Sequence, residues 1–123
     1  MASSLIANNI YVYYCGWIKP PHDKIALCIC DINNWAFWFN SNPAFHKDGQ
    51  LSCDQSDHYR AITKQCYLDL SGLKAISSIE IRNAGHRGPI SDAFRSKIVN
   101  VLTNSPPRLL SPAHRGLALT NLL

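Results

Sequence analysis

Up to Ala75 the apolar residues come in short runs, and beyond Ser91 they recur at helical spacing. Residues 1–8 read as a polar lead-in. Ile10–Trp17 is rich in β-formers and predicts a first strand. Pro20 and Pro21 lack backbone donors, so Ile18–Asp23 reads as a loop. Lys24–Cys30 is apolar on both faces and predicts a central strand. Asp31–Asn34 is turn chemistry, because Asn tolerates left-handed angles, and Trp35–Phe39 would complete a hairpin across it. Asn40–Asp57 is polar and too long for a plain connection, which predicts a functional or mobile stretch with a short strand near Leu51–Cys53. His58–Thr63 fits no single element. Cys66–Leu70 predicts another strand, with Ser71-Gly72 as the turn after it.

The unit from Ile76 to Leu102 organises the rest. Ile79 and Ile81 alternate with Glu80 and Arg82, the period of a half-buried strand. Asn83–Pro89, with its glycines, proline, His86 and Arg87, reads as a tight basic turn. Ser91 then caps a helix whose Phe94, Ile98, Val101 and Leu102 share one face. Pro106-Pro107 stops that helix, and Ser111-Pro112 opens a second one with Leu117, Ala118 and Leu122 on its apolar stripe. The second helix either packs on the sheet or serves as a partner-binding tail. Short strands followed by helices predict a mainly β chain with helices (α+β): a small, strongly bent sheet or barrel closed by a helix.

Composition narrows the function classes. At 123 residues the chain fits one domain, and 46% hydrophobic residues exclude a disordered protein. No apolar run approaches the ~20 residues that span a bilayer. The start, Met-Ala-Ser-Ser-Leu-Ile, has neither a basic region nor a long apolar one, which predicts a cytoplasmic protein away from membranes. A net charge of +4 suits a phosphate-rich partner without demanding one. The five cysteines are odd in number and lie in or beside apolar runs, as small buried hydrophobes in a reducing compartment do. A zinc-stabilised adaptor using Cys28, Cys30, Cys53, His58 and Cys66 is an alternative, but no Cys-x-x-Cys pair is present. Phosphate-loop, dinucleotide-binding, nucleophile-elbow and zincin motifs are all missing from the sequence.

In one region the chain resembles a known family. Ile81-Arg82, His86-Arg87-Gly88, Ile90-Ser91 and Val101-Leu102 follow an order found late in the MazF/PemK-type toxins of toxin–antitoxin modules, over roughly a fifth of the chain. The resemblance implies an SH3-like barrel, a homodimer, a cognate antitoxin as inhibitor, and cleavage of single-stranded RNA without a metal or other cofactor. Such cleavage needs a base for the 2′-OH, a cation for the phosphorane and an acid for the leaving 5′-oxygen, roles that His, Arg and Lys fill. In the family, the loop after the first strand supplies basic residues. Here that loop is Ile18–Lys24, without the family's Arg-Arg-Pro pattern, and His22 and Lys24 are the nearest replacements for its catalytic Arg. The expected catalytic set is His22, Lys24 and Arg87. Lys19, Ser41 (for the hydroxyl residue after the third strand), Arg82 and His86 would hold substrate.

Arg82, His86 and Arg87 would form an anion site beside a helix N-terminus, or a solvated turn with Arg82 paired to Glu80 or Asp92. Alternation puts Phe37 and Phe39 on one face and Trp38 on the other, so Trp38 is the expected base-stacking residue. The absent Arg-Arg-Pro pattern supports a different reading: a non-catalytic barrel module, such as a phage- or plasmid-borne regulator, that binds a protein or nucleic acid.

Overall fold

The computed structural model describes residues 5–54, 62 and 64–123. Their elements, in order, are β1 (Asn9–Cys15), β2 (His22–Cys30), β3 (Trp35–Asn40), β4 (Gln50–Cys53), β5 (Cys66–Ala75), α1 (Ser78–Arg82), β6 (Gly85–Pro89), α2 (Asp92–Asn104) and α3 (Pro112–Leu122). The fold is mixed α+β. All strand pairings are antiparallel, in one six-stranded sheet of order β4-β5-β3-β2-β1-β6. β4 and β6 are its two edges, so the sheet is open and the expected barrel closure is not seen.

Strand alternation sorts side chains onto two faces. Ile10, Leu27, Ile29, Phe37 and Phe39 point to one, where Phe94, Ile98 and Leu102 of α2 and Ala118 and Leu122 of α3 complete a single core. Tyr11, Tyr13, Cys15, Ala26, Cys28 and Ala36 point to the other, where Leu5, Ile76 and Ile81 add the buried apolar cover among the described residues. β2 is apolar on both sides because it is central and covered on both sides, as its sequence predicts. The β2–β3 hairpin forms across Asp31–Asn34, with Asn34 at φ 54°. Ser91 and Ser111 cap the two long helices, each accepting a backbone N–H, as expected. Asn8 ties the approach to β1 to later elements: Ile90 N–H donates to its carbonyl at 2.9 Å, and its Nδ2 donates to the Asn121 carbonyl at 3.0 Å.

Three elements depart from the sequence expectation. The first is β5, which runs straight through Ser71-Gly72 to Ala75. Trp38 pairs with Asp69 while Ala36 pairs with Lys74, so the extra residues of β5 are taken up as a bulge rather than a turn. Asp69 Oδ1 fixes that bulge by accepting from both Ser71 N–H and Ser71 Oγ. The second is Ile79–Arg82, which is helical. Ser77 and Glu80 form a reciprocal capping box, and helical geometry leaves Ile81 buried while Ile79 is 66% exposed. The third is the predicted turn, of which Gly85–Pro89 is an edge strand on β1. Pro89 is tolerated because it lies at an edge, and Gly88 takes φ 100° beside the register shift at Ile10/Tyr11.

The polar stretch after β3 is anchored where it is described. Arg108 N–H donates to Asp48 Oδ2 at 2.6 Å and Leu70 N–H to the Gly49 carbonyl at 2.9 Å. The end of that stretch and, Ile62 apart, the region His58–Thr63 with His58 lie mostly outside the described residues. No helix among the described residues is long and apolar enough to cross a membrane.

Candidate functional site

Antiparallel pairing of Ile25 with Phe39 sets the start of β2 beside the end of β3. A cleft of about 530 Å³ opens there, lined by His22, Lys24, Asn40, Ser41, Asn42 and Lys64, with Ile25, Phe39, Ile62 and Cys66 as its apolar wall. Asp23 is its one acidic lining residue among the described residues. His22, Lys24 and Ser41, predicted from two separate parts of the chain, therefore meet at one site.

His22 is the first residue of β2 and is exposed. Its Nδ1 lies 2.7 Å from the Pro20 carbonyl oxygen. A carbonyl only accepts, so Nδ1 carries the proton and the lone pair of the neutral ring sits on Nε2. The turn thereby presents a base, with its tautomer fixed by the backbone.

Lys24 is 8% exposed. Its Nζ donates to Asn40 Oδ1 at 2.5 Å and lies 4.7 Å from the centre of the Trp38 ring. Burial pulls its pKa below the ordinary lysine value; Cys15 and Asp69 oppose the shift, and the nearby Lys74 ammonium adds to it. An ammonium so placed gives up its proton more readily than one in water.

Trp38 is on the second face, as its alternation predicts, and is half-buried there. Its Nε1–H donates to Tyr13 Oη at 2.7 Å, and Trp17 from the β1–β2 loop packs on it at 5.4 Å between ring centres. Lys74 Nζ is 5.2 Å from the Trp38 ring.

The second predicted cluster is elsewhere. His86 pairs with Tyr11 in register whereas His22 pairs with Cys15, which separates them by roughly 13 Å along β1 alone, at ~3.3 Å per residue. His86 Nε2–H donates to Asn9 Oδ1 at 2.7 Å, and its ring packs on Tyr11. Arg87 is exposed on the same edge strand and does not line the cleft. Arg82 ends α1, exposed; Glu80 caps Ser77 and Asp92 pairs with Arg95, so neither carboxylate is its partner. Lys19 is exposed in the loop before His22 and is not among the cleft-lining residues. Arg82 thus closes α1, His86 and Arg87 lie on the β6 edge, and none of the three lines the cleft.

Asn40, Asn42 and Lys64 line the cleft although sequence patterning does not single them out, and Trp17 and Lys74 join Trp38 only through the fold. A polar cluster directly after an apolar strand was the available signal for the asparagines. Cys15, Cys28, Cys30, Cys53 and Cys66 are buried, and no three potential metal ligands group together among the described residues.

Burial makes stability pH-dependent. The wholly buried Cys28 thiol is pushed up to about 12 from 9.0 by desolvation first, then by Asp31 and Cys30. Its proton is held in the folded state and lost from the unfolded one, so its contribution is complete below pH 9.0 and is lost as the pH climbs towards about 12. Tyr13, raised by burial, acts in the same sense above pH 10.0. Lys24 acts in the opposite sense just below 10.5. Above pH 10.5 Cys28 and Tyr13 act together and Lys24 no longer opposes them, so urea midpoints should fall between pH 10.5 and about 12, with up to about 1.4 kcal/mol of stability lost per pH unit for each fully titrating group. A midpoint that holds or rises over that range would contradict this assignment.

Scans against protein-family models, curated proteins and solved structures each return no match for this chain.

Proposed function

We propose that the protein is a toxin-like endoribonuclease that cleaves single-stranded RNA without a metal. The observation that carries the reading is the cleft where His22 offers a free Nε2 beside the buried Lys24 ammonium. In this mechanism His22 Nε2 takes the 2′-OH proton. The 2′-oxygen bonds to the adjacent phosphorus, and the bond from phosphorus to the 5′-oxygen breaks. Lys24 stabilises the phosphorane charge and gives its proton to the leaving oxygen. Lys64, Ser41 and the Asn42 amide hold the phosphate. The products are a 2′,3′-cyclic phosphate and a 5′-hydroxyl, and proton exchange with water restores His22 and Lys24.

The reading takes the open sheet, with bulges in β6, β2 and β5, as a partly opened relative of an SH3-like barrel. It brings with it a homodimer, a cognate antitoxin that covers the cleft, and action in the cytoplasm. One observation favours the second reading, a non-catalytic module: no arginine lines the cleft among the described residues.

The two readings separate on purified protein and mixed single-stranded RNA at low salt with a chelator present. New 5′-hydroxyl and cyclic-phosphate ends are the expected result. Intact RNA that is nonetheless bound would overturn the nuclease and leave the module.

A further inference from the structure

We infer that the sheet face beside the cleft carries a stacking platform for an unpaired nucleobase, built by Trp17 on Trp38 with Lys24 and Lys74 as its cations. The inference rests on the RNA reading for where the scissile phosphate sits.

Trp38 cannot swing freely, because its Nε1–H is bonded to the buried Tyr13 hydroxyl. Trp17 is supported by that ring yet remains 62% exposed. An exposed indole alone is commonplace. Here two ammonium groups converge on the same Trp38 ring, at 4.7 and 5.2 Å, and neither has a carboxylate within ion-pair distance among the described residues. Asp69, the nearest candidate on the adjoining strand, is engaged by Gln50 Nε2 and by Ser71. Two ammonium groups over one ring, with Asp69 as a counter-charge that pairs with neither, repel each other, and a bound anion relieves that repulsion.

A nucleotide supplies both missing parts: a phosphate for the lysines and a flat base for the exposed indole. Lys24 also bonds Asn40 of the cleft, so one ammonium belongs to both sites. A strand with a phosphate at Lys24 then has a sugar towards His22 and a base towards Trp17. Bases inside a duplex are unavailable to such a platform, which therefore selects single strands.

The test uses a short mixed-sequence 2′-O-methyl oligonucleotide, which lacks the 2′-OH nucleophile, with binding read by fluorescence anisotropy. Wild type should bind it, Trp17→Ala should weaken binding roughly tenfold, and Trp17→Phe should keep most of it. Lys74→Ala should also weaken binding and flatten its salt dependence. The same oligonucleotide annealed to its complement should be indifferent to Trp17→Ala. Trp17 is exposed in a loop, so circular dichroism should confirm that these variants stay folded. Equal binding of the single strand by wild type and Trp17→Ala, or no binding by wild type, would overturn the platform. If Trp17→Ala loses binding while unmodified RNA stays uncleaved, the platform stands and the nuclease reading falls. If RNA is cleaved and Trp17→Ala binds normally, the platform alone falls.

Discussion

Replacing His22 with Ala is expected to slow RNA cleavage by about 10²–10⁴-fold, the usual loss when a positioned general base is removed. His22 Nε2 carries the imidazole lone pair, because Nδ1 is committed to Pro20. The side chain is exposed, so its removal should not cost stability. Appearance of new 5′-hydroxyl ends over time gives the rate, and the urea midpoint reports folding. Arg87→Ala is the informative comparison. Arg87 lies on the β6 edge and not in the cleft, so the rate should stay close to wild type. Loss in Arg87→Ala with retention in His22→Ala would move the chemistry to the other end of β1 and sink the cleft assignment.

The largest effect on stability is expected from Phe94→Ala. Phe94 is wholly buried, one helical turn before Ile98, in the core that joins α2 to the sheet. Truncation removes the aromatic transfer free energy and leaves a cavity, a loss of about 3–5 kcal/mol. A domain of this size holds only ~5–15 kcal/mol in total, so the variant should lie near the edge of folding at 37 °C. Urea and thermal unfolding measure it directly. A loss under about 1 kcal/mol would mean that α2 is not docked through this residue. Because Phe94 is not at the cleft, whatever fraction remains folded should still bind RNA.

How much of this was legible in the sequence depended on how long each pattern ran. β1 to β3 and the two long helices were readable because alternation or helical spacing persists over enough residues for one period to win, and caps or turn residues mark their ends. Ile79–Arg82 was misread because four residues cannot separate period 2 from period 3.6. The Ser77-x-x-Glu80 capping box was the decisive signal, and it outweighed the isoleucine alternation. Ser71-Gly72 looks like a turn in any local reading; only the pairing of β5 with β3 turns it into a bulge. Gly85–Pro89 has no apolar alternation at all, and it becomes a strand because β1 has an edge to pair. The site divides the same way. His22, Lys24 and Ser41 sit at the ends of well-marked strands, so a hairpin was enough to bring them together. Arg82, His86 and Arg87 are close in sequence, and that nearness suggests one turn, whereas they lie on the end of a helix and on an edge strand.

The pairing of β1 with β6 also has a consequence for synthesis on the ribosome. β1 is made early and forms its hairpin with β2 as soon as that strand emerges, while its other edge waits for Gly85–Pro89. At ~5–20 residues per second, several seconds pass with that edge and the apolar side chain of Ile10 uncovered. Contacts between segments so far apart in the chain also place the protein among slow folders. The nascent chain is therefore most exposed to mispairing before β6 is translated, when β1 is a template for any extended strand in reach. Arrival of β6, and of the α3 end that accepts from Asn8, ends that exposure.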